Sequence, residues 1–231
     1  MSFWKLGAVV FLTAFLAGCT SSERYKMTVE VDTPDGLRTG SAVREVWKPL
    51  DIPFPALGET SNYPNLSGEA VVVDIGDKRH LFALLASNQW GREFSTSVRL
   101  NYLYDHRNKP PVKIDGPVEI WPIPAKSSSY AYGFEHGMET PTPLFIAFHD
   151  EQDPSTVFVV DKKDAANSLG SGFDIRRITV ERTSDPVTQI IDQVLPWLRL
   201  ERNSLILRNA SGTNLSADYI TANDFKQGAN R

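Results

Sequence analysis

The chain of 231 residues contains a single cysteine, Cys19. A lone cysteine excludes a disulfide within the chain and a metal cluster held by several thiolates. An excess of basic residues is also missing, because 24 lysines and arginines stand against 28 aspartates and glutamates, for a formal charge of −4. Nucleic-acid partners usually require a basic surface, so we expect no nucleic-acid binding.

Long hydrophobic runs are missing as well. The longest apolar stretch extends from Leu6 to Phe15, which is short of the roughly 20 residues that a membrane-spanning helix needs. The overall composition, with 41% hydrophobic and 23% charged residues, is that of an ordinary globular protein. The sequence therefore predicts a folded body with a sizeable core.

The first 19 residues have the pattern of a cleavable leader. Lys5 precedes the apolar run, which ends in Leu16-Ala17-Gly18-Cys19. These four residues resemble the bacterial lipobox, in which leucine and two small residues precede the cysteine. The resemblance implies a signal peptide at 1–18 and lipid on Cys19, followed by a short tether at 19–23.

Lipid on Cys19 would hold the protein at a membrane of the bacterial cell envelope. Each buried methylene contributes about 0.8 kcal/mol, and two or more acyl chains give stable attachment. Thr20 follows the cysteine where an aspartate would favour the inner membrane in enterobacteria. We therefore expect the outer membrane, with the protein facing the periplasm.

The sequence predicts one β-rich globular domain over residues 24–225, followed by a flexible tail at 226–231. Period-two alternation around the turn Thr33-Pro-Asp-Gly36 predicts a β-hairpin over 24–48. A proline-rich surface loop is expected over 49–68. Further strands are expected at 69–75, 79–85, 118–121, 144–148, 156–160 and 173–180.

One helix is predicted in the C-terminal half, at about 185–195. Asp185 can cap it, Pro186 suits its first turn, and Pro196 should end it. Residues 88–106 fit a helix and a strand equally well, and 161–169 fit one or two helical turns. The fold class predicted is α+β and β-rich, as an antiparallel sheet or sandwich.

Three blocks of sequence resemble an uncharacterised family of proteobacterial lipoproteins. They are the runs Tyr25–Gly40, Gly68–Gly76 and Asp153–Asp161. That family has no assigned activity, so the resemblance supports the envelope location and implies no functional residue.

The densest polar cluster is His149-Asp150-Glu151-Gln152-Asp153. His149, Asp150 and Asp153 are weak candidates for a divalent metal site, although the spacing fits no EF-hand loop. A solvated turn between two strands is the favoured interpretation. His80 lies in an apolar run, which is typical of a hydrogen-bonded structural histidine, whereas His106 and His136 lie in polar surroundings.

Aromatic residues provide a second candidate site. Tyr130, Tyr132 and Phe134 alternate along the chain, and Trp121 lies upstream. Such side chains can line a surface for glycan or peptide. They more often fill a core, and that is the favoured interpretation.

No nucleotide-binding motif and no Gly-x-Ser-x-Gly motif is present, and we expect no catalytic residue and no cofactor. The leading hypothesis is a non-enzymatic binding or accessory lipoprotein with an envelope protein or glycan as partner. A periplasmic hydrolase, with His149 or His136 near a distant serine and aspartate, is one alternative. A subunit of a secretion or pilus assembly is another.

Overall fold

A computed structural model describes residues 22–47, 64–87, 93–105, 110, 112–122, 141–199 and 220–228. The strands in these ranges are β1 Ser22–Thr33, β2 Gly36–Trp47, β3 Asn65–Glu69, β4 Val71–Gly76, β5 Arg79–Ala83, β6 Tyr104–Asp105, β7 Val112–Lys113, β8 Val118–Trp121, β9 Phe145–Phe148, β10 Val157–Val160, β11 Asp174–Arg182 and β12 Lys226–Gln227. The helices are α1 Glu93–Tyr102, α2 Ala165–Leu169, α3 Ile191–Val194 and α4 Ala222–Phe225, with 3-10 turns at Pro154–Thr156 and Pro196–Arg199.

Two antiparallel sheets form the body of the protein. Six strands pair in the order β12-β3-β2-β1-β11-β8, and four strands pair in the order β10-β9-β5-β4. Strands β6 and β7 form a small separate ladder. The predicted β-rich α+β class is therefore confirmed.

Strand β1 lies in the middle of the larger sheet, and its alternating apolar residues face the core as the sequence predicted. Tyr25, Met27, Val29 and Val31 are fully buried on one face, while the residues between them remain partly exposed. Burying one such side chain contributes about 1.5–3 kcal/mol. The apolar face of β1 therefore fixes which side of the larger sheet packs against the other sheet.

The hairpin predicted over 24–48 is present, and the strands expected at 69–75 and 79–85 form a second one. The β1–β2 register closes at Thr33 opposite Gly36, where Gly36 has a φ of 112°. The β4–β5 turn places Asp77 and Lys78 at φ of 53° and 58°. Two consecutive residues in the left-handed region match the type I′ turn that suits the twist of a β-hairpin.

The predicted helix at 185–195 is wrong in extent, because regular helix occupies only Ile191–Val194. Thr188 instead pairs with the edge of β2, donating its backbone N–H to the Val43 carbonyl at 3.2 Å and accepting the Val43 N–H at 2.8 Å through Oγ1. Residues 186–190 accordingly lie outside regular helix. Pro196 then starts the 3-10 turn, which agrees with its expected role as a helix breaker.

Other boundaries also differ from those expected. Residues 88–106, which the sequence left open, contain helix α1, and its Phe94, Val98 and Tyr102 are buried at helical spacing. The predicted loop at 49–68 contains most of β3. Strand β1 starts at Ser22, inside the predicted tether, and β12 lies in the predicted tail.

Two hydrophobic clusters occupy opposite faces of the smaller sheet. Leu81 and Ala83 of β5 face the cluster between the sheets, whereas Phe82 faces the second cluster. Helix α3 and the residues around Phe225 cover that second cluster. Because both faces are covered, all four residues of β9 are buried, which explains its uninterrupted apolar sequence.

The Arg44 side chain lies between the two sheets and is fully buried. Its Nε donates to the Glu69 carbonyl at 3.0 Å, Nη2 to the Ala83 carbonyl at 3.3 Å, and Nη1 to Ser95 Oγ at 3.2 Å. The Tyr25 hydroxyl donates to the Ser95 carbonyl at 2.8 Å, and burial raises its pKa, so it stays protonated. Every partner of the guanidinium among the described residues is uncharged.

Arg44→Ala should lower the free energy of unfolding by about 3–5 kcal/mol, because it leaves a cavity and several buried acceptors without a donor. Arg177→Ala is the matched control, since Arg177 is exposed and pairs with Glu30 on the outer face of the sheet. Urea unfolding of both variants measures the difference. Equal losses in the two variants would contradict a central role for Arg44.

Candidate functional site

The turn between β9 and β10, which we call the acidic turn, comprises residues 149–155. The carboxylates of Asp150 and Asp153 accept hydrogen bonds from the turn itself. Asp150 Oδ1 accepts the Gln152 N–H at 2.9 Å, and Asp153 Oδ1 accepts the Ser155 N–H at 2.9 Å and the Ser155 hydroxyl at 2.7 Å. These hydrogen bonds from Ser155 lower the pKa of Asp153. The segment is a tightly hydrogen-bonded turn between two strands.

The structure places the three metal candidates, His149, Asp150 and Asp153, in one turn. Each of them makes a contact within the protein. The His149 ring stacks on Phe158 with centroids 4.5 Å apart. Within the described ranges, no group of three or more histidine, cysteine, aspartate or glutamate side chains is placed to hold a metal ion. The geometry gives the proposed metal site no support.

Glu151, also in the acidic turn, makes the contact that joins this turn to the rest of the sheet. One carboxylate oxygen, Oε1, accepts the backbone N–H of His80 at 2.7 Å, and both oxygens lie 3.0 Å from His80 Nδ1. The Glu151 carbonyl accepts the indole N–H of Trp197 at 2.8 Å. Glu151 thus links β5, the acidic turn and the 3-10 turn Pro196–Arg199.

The Glu151 carboxylate orients the His80 ring. An ionised carboxylate only accepts hydrogen bonds, so Nδ1 must carry the proton and Nε2 is left as the acceptor of the neutral ring. No serine, threonine or cysteine side chain of the described residues is hydrogen-bonded to His80. The pair can therefore hold His80 Nε2 in a fixed orientation as a hydrogen-bond acceptor. The sequence predicted a hydrogen-bonded His80, and the geometry agrees.

Glu151→Gln should remove the preference of His80 for the Nδ1–H tautomer, because a side-chain amide can donate as well as accept and so no longer dictates which ring nitrogen carries the proton. Nitrogen-15 chemical shifts of the His80 ring above the histidine titration range measure this. Asp150→Asn is the matched control, since Asp150 caps only its own turn. An Nε2–H tautomer in the unaltered protein would contradict the assignment.

Glu69 is a second carboxylate with a defined function in the structure. It is only 4% exposed, and its two oxygens accept the N–H groups of Ile190 at 2.6 Å and Ile191 at 3.1 Å. Burial raises the pKa of Glu69, and Asp192 acts in the same direction, while the two backbone hydrogen bonds and Lys226 oppose them. The carboxylate therefore docks the chain before α3 onto the end of β3.

The raised pKa of Glu69 predicts an unusual pH dependence. The folded state binds a proton at this group more tightly than the unfolded state, so Glu69 adds stability as the pH falls through its folded pKa. The difference in unfolding free energy between the unaltered protein and Glu69→Gln should therefore increase from pH 8 to pH 4. Urea unfolding across this range measures it, with Glu119→Gln as the control for an exposed carboxylate. A constant difference would contradict the prediction.

Of the aromatic binding candidates, Trp121 lies among the described residues. Its Nε1 donates to the Ile175 carbonyl at 3.0 Å, and the Lys162 ammonium lies 4.9 Å from the ring centroid. The ring packs partly buried against the core between the sheets. Tyr130, Tyr132 and Phe134 lie outside the described residues, as do Cys19, His106 and His136.

Nothing in the sequence indicates that Glu151 and His80 meet, since they are 71 positions apart. The contact arises because β9 pairs with β5, which brings the residues after β9 beside the start of β5. Arg44 did have a sequence signal, because alternation places it on the same face of β2 as Ala42 and Val46. Its charge argued against an inward position.

Comparison with protein-family models, with curated proteins and with solved structures finds no match to this chain. Of the helices in the described part of the chain, none has the length and apolar character to cross a membrane.

Proposed function

We propose that this protein is a lipid-anchored lipoprotein of the bacterial envelope that acts as a non-enzymatic binding or accessory domain. The observation that carries the proposal is the run Leu16-Ala17-Gly18-Cys19, which places the protein's one cysteine where a lipobox requires it. Acyl chains on that sulfur would supply stable membrane attachment. With Thr20 after the cysteine, the proposed location is the outer membrane, facing the periplasm.

The position of the first strand is compatible with such an anchor. Strand β1 begins at Ser22, three residues after Cys19, and pairs on both sides in the middle of the larger sheet. A lipid on Cys19 would therefore be connected to a strand that is hydrogen-bonded to a neighbour on each side. Release of such a domain would require cleavage of the chain after Cys19 or loss of the lipid from the membrane.

The uses of the polar side chains support a binding or accessory domain over an enzyme. Asp150 and Asp153 stabilise their own turn, Glu69 docks a backbone segment, and Arg44 links the sheets. Each of these groups has a structural partner. The oriented His80 ring is partly exposed and can contact a partner.

Cys19→Ser should abolish incorporation of labelled palmitate, because the side-chain sulfur is the atom that receives the lipid. Thr20→Ser, which leaves the cysteine in place, should incorporate palmitate like the unaltered protein. Immunoprecipitation after metabolic labelling measures both. A protein without label when Cys19 is present would contradict the anchor.

A second variant separates lipid attachment from retention of an uncleaved leader. A chain that begins at Thr20 behind an ordinary cleavable secretory leader should appear in the soluble periplasmic fraction. If that chain folds and still sediments with membranes after a high-salt wash, the lipid is not the means of attachment.

A further inference from the structure

Three strands of the larger sheet have their ends at the same level. Ser22 starts β1, Trp47 ends β2 and Asn65 starts β3, with Ser22 opposite Trp47 and Trp47 opposite Asn65. We call these three residues the anchor-end surface. They form one corner of the sandwich, at the point where the chain enters the first strand.

Covalent geometry limits how far this corner can be from Cys19. Consecutive Cα atoms are about 3.8 Å apart, so the three steps from Cys19 to Ser22 span at most about 11 Å. A lipid on Cys19 places that residue at the bilayer surface. The anchor-end surface must then lie within the headgroup region or directly above it, whatever path the three residues take.

The side chains at this corner suit a lipid interface. Trp47 is partly exposed and presents the apolar part of its indole ring at this corner, while its Nε1 is buried. Tryptophan rings are enriched at membrane interfaces. Asn65 is exposed and uncharged. Two ion pairs of the described residues lie nearby, Glu23 with Arg182 and Glu45 with Arg24 at 3.8 Å.

The opposite end of the sandwich has a different chemistry. The β1–β2 turn carries Asp35 and the β4–β5 turn carries Asp77 and Lys78, and the two turns are neighbours because Gly76 lies beside the Asp35 carboxylate. Charged turn residues favour water over lipid. The Trp47 end thus carries apolar and uncharged side chains, and the opposite end carries charged ones. This difference favours membrane contact at the Trp47 end.

We propose that the anchor-end surface faces the membrane that holds Cys19 and contacts its lipid headgroups, with Trp47 at the interface. This inference rests on the proposed lipid anchor and adds an orientation to it. The strands of the larger sheet then lead away from the bilayer, and the turns at Asp35 and Asp77 point toward the aqueous compartment.

The test uses the lipidated full-length protein in phosphatidylethanolamine–phosphatidylglycerol vesicles. Because the sulfur of Cys19 is occupied by lipid, an introduced cysteine is the only free thiol. Asn65→Cys reports on the anchor end, and Leu37→Cys is the matched control, since Leu37 is 50% exposed and lies ten residues from Trp47 along β2, roughly 33 Å away. Each thiol carries a fluorophore, and the vesicles contain headgroup-nitroxide lipids as quenchers.

We expect the probe at position 65 to be quenched at least threefold more strongly than the probe at position 37.

Quenching of intrinsic fluorescence by lipids brominated near the headgroup tests Trp47 itself. The quenched part of the emission should be lost in Trp47→Phe and retained in Trp121→Phe, because Trp121 pairs with Ile178, well along the sheet from Ser22.

Vesicle flotation and intact mass distinguish failure of the proposed lipid anchor from failure of the proposed orientation. Protein that carries no lipid and does not float overturns both the anchor and the orientation. Protein that is lipidated and floats, but has two probes quenched equally or a Trp47→Phe variant with unchanged quenching, overturns the orientation alone.

Discussion

The Arg44 guanidinium is buried between the two sheets and is hydrogen-bonded to a carbonyl of each. A charge removed from water requires compensating hydrogen bonds, and here they come from a β3 carbonyl, a β5 carbonyl and the Ser95 hydroxyl of helix α1. These acceptors belong to both sheets and to helix α1, which packs against the core cluster between the sheets. They must be in place together, because displacement of any one leaves a buried donor without a partner. Gly68 is part of the same constraint, since a Cβ there would lie 2.8 Å from Arg44 Cγ.

Glu69 extends this constraint to the C-terminal part of the chain. Its carbonyl accepts from Arg44, while its carboxylate accepts the backbone N–H groups at the start of helix α3. One residue thus connects the cluster between the sheets with the cluster outside the smaller sheet. The Ala70 N–H and the Phe225 carbonyl, 2.7 Å apart, add the last segment of the chain to the same corner. The positions of helix α3 and of the chain around Phe225 therefore depend on the geometry at the end of β3.

The sequence predicted the elements that local chemistry determines. Alternation identified the buried face of β1, and the turn residues at Pro34 to Gly36 located its hairpin. Local pattern failed where a distant partner decides the outcome. The residues around Thr188 have helical periodicity, yet their backbone pairs with Val43, 145 positions away. The contact between His80 and Glu151 likewise depends on strand order, which hydrophobic periodicity does not encode.

The same strand order relates the proposed anchor to the oriented histidine. His80 follows Arg79, which lies opposite Gly76 across the β4–β5 turn, and that turn is beside Asp35 at the end of the sandwich away from Ser22. Attachment through Cys19 would therefore leave His80 and Glu151 on the side of the molecule that faces the aqueous compartment. An envelope partner could reach this pair without contacting the bilayer. The two ends of the strands would then have separate functions, with attachment at one end and an accessible surface at the other.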